Sequence, residues 1–346
     1  MTNVNWKNEL SQAVTETAEL YRILELPIDQ DYWPVSEEYP LFVPRPFIGN
    51  MVKGCPNDPL LLQVLPRQEE LIAVDGFSRD PLHELSELSN NSSCCVLKKY
   101  AGRALLLVSN DCGIHCRFCF RRFFPKINSF RKNYFGKRYS DKNDSDQHHS
   151  DHFNTLLEPI RSDHTIEEVI LSGGDPLLLD DSELEQLLYY IVKIPHVKRI
   201  RIHSRLPIVL PNRLTPKLIN ILSYPFPLYV VLHVNHPNEL SDDFLVRREE
   251  LSVPVVLSQT VLLKGINDHP DVLYQLFDRL ITHRIIPYYL HQLDRVNGAA
   301  HFEVPTGRGC RLMEQLRQRL PGYAIPRYVR EIPGMLNKQE ILRDKD

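Results

Sequence analysis

From about residue 98 onward, short continuous apolar runs alternate with amphipathic segments. This alternation constrains the fold more than any other feature of the chain. The runs are ALLLVS (104–109), EVILS (168–172), VKRIRIHS (197–204), LYVVLHV (228–234), VVLSQTVLL (255–263) and IIPYYLH (285–291). Between them lie DSELEQLLYYIVKI, TPKLINILS, SDDFLVRREEL and PDVLYQLFDRLITH, whose spacing predicts helices. Strands that are apolar throughout are buried on both faces, and intervening helices supply the crossovers. The pattern therefore predicts an α/β protein with a parallel sheet covered by helices. Six such strands suit an open, partial (βα)6 barrel; a closed eight-stranded barrel needs more repeats than the sequence offers.

Residues 1–97 read differently, as a mainly helical and loop-rich N-terminal segment. WKNELSQAVTETAELYRILEL carries apolar residues at roughly helical spacing, and DPLLLQVL and DPLHELSEL each open on Asp-Pro, a good helix start. The expected organisation is this segment, a core over 98–325, and a C-terminal tail over 326–346. Residues 126–152 interrupt the core with a polar, turn-rich stretch that ends near His148, His149 and His152. A histidine cluster can bind metal, but the composition favours a solvated surface insertion.

Length and charge exclude several classes. A chain of 346 residues with 42% apolar content can build a full core. A net charge of −3 gives no basis for bulk nucleic-acid binding. No apolar stretch approaches membrane-spanning length and no secretory apolar region opens the chain, so the expected location is the cytoplasm, away from membranes. The seven cysteines are odd in number and irregular in spacing, which argues against a disulfide framework.

Three of those cysteines, Cys112, Cys116 and Cys119, fall in SNDCGIHCRFCFRR, just after the first predicted parallel strand. Chemistry in parallel α/β folds collects at the carboxyl ends of strands. A structural zinc site wants four ligands, commonly two Cys-x-x-Cys pairs, and only one such pair is present, with His115 poorly spaced as a partner. A redox Cys-x-x-Cys leaves Cys112 without a purpose. An iron–sulfur cluster fits better, because three thiolates on a cubane leave one iron open to bind a small molecule.

The spacing Cys-x-x-x-Cys-x-x-Cys, with Phe118 before the last cysteine, resembles the signature of the radical S-adenosylmethionine superfamily. LSGGDPLL after the second strand is similar to that superfamily's glycine-rich motif. The resemblance implies a [4Fe-4S] cluster on Cys112, Cys116 and Cys119. It also implies S-adenosylmethionine bound near Ser172, Gly173, Gly174 and Asp175, with Asp175 acting indirectly or structurally. One electron cleaves the sulfonium to give a 5′-deoxyadenosyl radical. The barrel would then be the partial radical S-adenosylmethionine type.

Further along, KKYAGRALLLVSNDCGIHCRFCFRRFFP, SRLPIVLPNRLT, HVNHPNEL, SQTVLLKGIND and YYLHQLDRVNGAAHF occur in the order found in lysine 2,3-aminomutases. The likeness runs from about residue 98 to the end. It is strongest to the short bacterial branch that makes (R)-β-lysine for modification of elongation factor P. It implies an isomerase acting on L-lysine, with pyridoxal 5′-phosphate as a Schiff base on Lys338 in the tail. It implies Arg103, Gln259 and Lys99 around that cofactor. Arg121 would clamp the substrate α-carboxylate with Arg122 as a supporting neighbour, and Asp294 and Glu331 would hold the distal ammonium. Glu331 stands where longer members have an aspartate.

The resemblance further implies an electron donor such as flavodoxin or ferredoxin and a functional link to an elongation factor P β-lysyl ligase. No zinc is expected, because the cysteine-rich extension of longer members is missing and His269 stands at one of its ligand positions. Cys55, Cys94, Cys95 and Cys310 then read as packing thiols. The competing readings are an aminomutase of this type acting on another amino acid, and a non-enzymatic zinc or iron–sulfur module that docks on a partner protein.

Overall fold

The computed structural model describes residues 5–27, 38–90, 95–125, 156–223, 225–251 and 255–342. The 126–152 insertion with its histidines, and Cys94, lie outside the described residues. The sheet runs in simple sequence order: β1 (Val96–Tyr100), β2 (Arg103–Ser109), β3 (Glu168–Gly173), β4 (Arg199–Ser204), β5 (Leu228–His233), β6 (Val255–Val261), β7 (Ile285–His291), β8 (Arg327–Arg330) and β9 (Gln339–Glu340). Neighbours from β2 to β8 are parallel, and the edge strands β1 and β9 are antiparallel to theirs. All six expected strands are present. β8, reached through a helix at Thr306–Arg317, adds a parallel strand beyond them. The predicted crossover helices form at Asp181–Val192, Pro216–Leu222, Asp242–Glu250 and Pro270–Thr282. His269 caps the last of these, with Nδ1 accepting from Asp271 N at 3.3 Å.

The N-terminal segment departs from its expected helices. The first stretch makes two short helices, Trp6–Ser11 and Thr17–Ile23, because Val14 leaves the helical path to pair with Val43. DPLLLQVL makes only a 3-10 turn at Leu61–Gln63; Leu60, Leu61 and Val64 are all fully buried, so it has no solvent face. In DPLHELSEL the helix starts at Glu84 rather than at the proline. Asp80 accepts from Glu84 N and Leu85 N, both at 3.0 Å.

The two faces of the sheet differ. Val169, Leu171, Ile200, Ile202, Val230, Leu232 and Val256 belong to one apolar core under the helices, which also takes in Trp6, Leu20, Phe47 and Leu61 from the N-terminal segment. Alternation then turns Arg103, Glu168, Arg201, His203, Tyr229, His233 and Gln259 to the other face, inside the curve of the sheet. A closed parallel barrel fills its interior with branched apolar side chains. Here charged and aromatic side chains share the interior with Ile170 and Val231. Among the described residues no helix is long and apolar enough to cross a membrane.

Candidate active site

The cysteine loop leaves the carboxyl end of β2. Ser109 Oγ accepts from Asp111 N at 3.0 Å, a local turn that stops the strand. The N-terminal segment then holds the loop from outside. His115 N donates to Phe42 O at 3.0 Å and Arg117 N to Gln63 O at 2.8 Å. Arg117 is fully buried, with Nε on Glu70 Oε1 at 2.8 Å and Nη1 on Tyr39 O at 2.7 Å. The Tyr39 ring stacks on the His115 ring, with centroids 4.7 Å apart. Arg122, expected beside Arg121, is turned away: its guanidinium is buried against Glu70 and donates to Arg117 O at 2.8 Å. It buttresses the loop rather than supporting Arg121.

The glycine motif locks onto this loop. Gly174 N donates to Ser109 O at 2.6 Å and Asp175 N to Asp111 O at 2.8 Å. A Cβ on Gly174 would lie 2.0 Å from Asp111 O, so only glycine permits the approach. The Asp175 carboxylate is saturated: Oδ1 accepts from Ser204 Oγ (2.7 Å) and Leu177 N (3.0 Å), and Oδ2 from Arg205 N (2.8 Å) and Leu206 N (2.9 Å). It pins the ends of β3 and β4 together.

The donor set of the loop suits a cluster. Burial, then the nearby thiols, push Cys112 up and Cys119 up to about 11; burial also raises Cys116, against the pull of Arg205. Such thiols ionise only when metal cations replace the protons. Among the described residues no three His, Cys, Asp or Glu side chains converge on one ion. A cubane does not require that, since each thiolate binds a different iron.

A second constellation spans the gap between the ends of the sheet. Glu84 Oε2 accepts from Arg121 Nε at 2.6 Å and Oε1 from Arg121 Nη2 at 2.8 Å. Arg121 Nη1 donates to Ser172 Oγ and Gly173 O, both at 3.2 Å. Lys99 Nζ, on β1, lies 2.9 Å from Glu84 Oε1 and 2.9 Å from Glu331 Oε1. Glu331 Oε2 takes the Lys338 ammonium. Burial works to raise Glu331, but the Lys338 and Lys99 ammonium groups outweigh it and hold the carboxyl below the usual range.

Asp294 faces the same charges. Burial and then the Glu331 carboxylate push it up to about 7. Burial and then Lys338 push His291 down to about 3; His203 is also lowered, by burial, Arg201 and Lys338. His203 Nε2 is buried with no hydrogen-bond partner among the described residues, an orphan that a bound ligand would satisfy.

Arg121, Lys99, Glu331, Lys338 and Ser172 thus meet in one network through Glu84, and Asp294 is buried within reach of its charges. Arg103 and Gln259 stand apart from its ion pairs. The Arg103 guanidinium lies over the Tyr100 ring at 5.3 Å, and Gln259 is in register with His233 and Tyr289. Cys95 and Cys310 are buried packing thiols, and Cys55 is half-buried. Sequence reasoning missed Glu84, whose only sign was its place in the first turn of a helix. It also missed Arg205, which follows β4 directly, at the strand end where functional side chains gather.

The chain is thus an open parallel α/β barrel that presents a Cys-x-x-x-Cys-x-x-Cys loop and a buttressing Gly-Gly-Asp turn at its carboxyl end. The chain is 39% identical over 341 residues to the L-lysine 2,3-aminomutase of Escherichia coli K12, covering 96% of this chain and 93% of that protein. It is 37% identical to the Haemophilus influenzae protein of the same name, covering 96% and 94%. To that of Clostridium subterminale it is 34% identical, over 83% of this chain and 65% of that one. The chain belongs to the L-lysine 2,3-aminomutase family and is an isomerase.

Among solved structures, Streptococcus suis SuiB bound to S-adenosylmethionine matches at a TM-score of 0.47 and 15% identity, over 72% of this chain and 54% of that one. A radical SAM methyltransferase from Sphaerobacter thermophilus matches at 0.44 and 17%, over 68% of each. No protein-family model matches the chain.

Proposed function

We propose that the chain is a lysine 2,3-aminomutase that converts L-lysine to (R)-β-lysine, with a [4Fe-4S] cluster, S-adenosylmethionine and pyridoxal 5′-phosphate. The product would serve modification of elongation factor P, with a flavodoxin- or ferredoxin-like protein as electron donor. The observation that carries the reading is the near full-length similarity to relatives of that name. The alternating ion network supports it, because an amino acid with a second ammonium needs both cationic and anionic partners in a dry site.

When bound, these groups would supply a carbon-centred radical and a π-system that stabilises it. The protein's part is placement. Cys112, Cys116 and Cys119 would hold the cluster, and the turn at Ser172–Asp175 would border S-adenosylmethionine. Lys338 would anchor the pyridoxal carbonyl, with Arg103, Gln259 and Lys99 as candidate partners of its polar groups. Arg121 would grip the substrate carboxylate, and Asp294 and Glu331 its distal ammonium. Glu331 pairs with Lys338 and would hold its side chain in place until the cofactor arrives. The low side-chain exposure of Glu84 and Arg121, 2% and 13%, would help keep water from the reacting carbons.

The test is anaerobic turnover of reconstituted protein with S-adenosylmethionine, pyridoxal phosphate, dithionite and L-lysine, with chiral analysis of products and Lys338→Ala in parallel. (R)-β-lysine formed by wild type and lost in the variant is the expected result. 5′-Deoxyadenosine without β-lysine would point to another amino-acid substrate. Neither product from protein holding an intact cluster would sink the enzyme assignment.

A further inference from the structure

The cluster loop has a buried cation aimed at it. Arg205 follows β4 and is 6% exposed. Its Nη1 donates to Cys116 Sγ at 2.7 Å, while Nη2 donates to Gln63 Oε1 at 2.7 Å and Glu239 Oε2 at 3.0 Å. Both partners are fully buried and rigidly held. Glu239 Oε1 accepts from Gln63 Nε2 at 2.9 Å and from the backbone N–H groups of Asn235 and His236, each at 3.1 Å. Asn235 Nδ2 donates to Gln63 Oε1 at 2.9 Å. The guanidinium lies 5.6 Å from the Phe47 ring and 5.7 Å from the Phe118 ring, and the backbone N–H of Arg205 is fixed by Asp175.

We propose that Arg205 is a positioning residue that sets the reduction potential of the cluster through its hydrogen bond to Cys116, with Glu239 as the countercharge that limits its effect. The inference rests on the reading that Cys112, Cys116 and Cys119 hold four irons. Reduction adds one electron, so a cubane with three thiolates becomes more negative. A hydrogen bond and a positive charge at a ligand sulfur stabilise that reduced state and raise the potential. The effect is strong because the pair is out of water. Glu239 takes Nη2 while Nη1 is on the sulfur, so the cation and not the carboxylate is in contact with the cluster ligand. An ion pair serving packing alone would need no donor on the sulfur.

The two charges make opposite predictions. In anaerobically reconstituted protein without S-adenosylmethionine, the midpoint potential is read by redox titration followed by electron paramagnetic resonance. Arg205→Gln should shift it to more negative values and Glu239→Gln to more positive values, with Arg205→Lys between Arg205→Gln and wild type. General loosening of the site would move both neutralising variants the same way, and that result overturns the proposal. So does an unchanged potential in both, even where Arg205→Gln weakens S-adenosylmethionine binding. If Arg205→Gln does not take up iron, Arg205→Lys and Glu239→Gln still give the required signs. Wild type without a four-iron spectrum would instead refute the cluster itself, and the proposed function with it.

Discussion

Glu84 grips Arg121 side-on, with Nε and Nη2 each on a separate carboxylate oxygen at 2.6 and 2.8 Å. The remaining side of the guanidinium is held by Ser172 and Gly173, so its plane is fixed before any ligand arrives. Glu84→Gln keeps the shape and removes the charge. Losing a charge-assisted hydrogen bond costs about 1.5–3 kcal/mol, or roughly 10- to 150-fold in affinity. KM for lysine should rise by about that factor with a smaller change in kcat. Glu84→Ala should also lower the melting temperature, because it strands a buried cation. An unchanged KM in Glu84→Gln would show that Arg121 does not need this partner.

Asp294 gives the reaction a pH dependence of definite sign. Its carboxyl is pushed up to about 7 by burial and the Glu331 carboxylate, so it is neutral below that pH and ionised above it. Only the ionised form can pair with a substrate ammonium. The specificity constant kcat/KM for lysine should therefore climb as pH rises through about 7, and Asp294→Asn should lose that step together with most activity. In ligand-free protein the sign reverses. A carboxyl raised above its unfolded value costs stability as pH increases through the window from its ordinary range to about 7, so Asp294→Asn should melt higher than wild type at pH 8.

Lys99 bridges two carboxylates across the open side of the sheet, Glu84 and Glu331. Burial acts to raise both, and cations override it, so both are held below the usual range. Their stabilisation is present above the ordinary carboxylate range and is lost as pH falls through their lowered values. Lys99→Met removes the shared cation and lets both drift upward. The midpoint of acid unfolding, followed by circular dichroism, should move to higher pH. No movement would mean that Arg121 and Lys338 alone hold the carboxylates ionised.

Continuous apolar runs fix β2 through β7, because a strand packed under helices must be apolar whatever surrounds it. β8 escaped because Arg327–Arg330 is short and carries an arginine at each end; its pairing with β7 is a tertiary event. The cysteines and the Gly-Gly-Asp turn were legible as local spacings. Glu84, Glu239 and Gln63 were not. Each acts on a partner far along the chain, Gln63 on Arg205 across 142 positions, and no local pattern marks such a residue. The sequence suggested glycines that approach a ligand. In the fold, the nearest neighbour of Gly174 is instead the backbone of the cysteine loop.

That placement separates two roles for glycine. An alanine at 174 would put Cβ 2.0 Å from Asp111 O and 2.6 Å from its carbonyl carbon, both backbone atoms that cannot rotate away. The loop carrying Cys112 must shift, at a cost of about 1–3 kcal/mol or more. Gly334, in the turn before Lys338, has φ +79° and nothing within 4 Å of a built Cβ. Alanine there meets only backbone strain, about 1–2 kcal/mol. Gly174→Ala should therefore bind markedly less iron per chain after anaerobic reconstitution, while Gly334→Ala binds as much as wild type and loses only a few degrees in melting temperature. Full iron content in Gly174→Ala would mean that the contact with Asp111 is not what holds the cysteines in place.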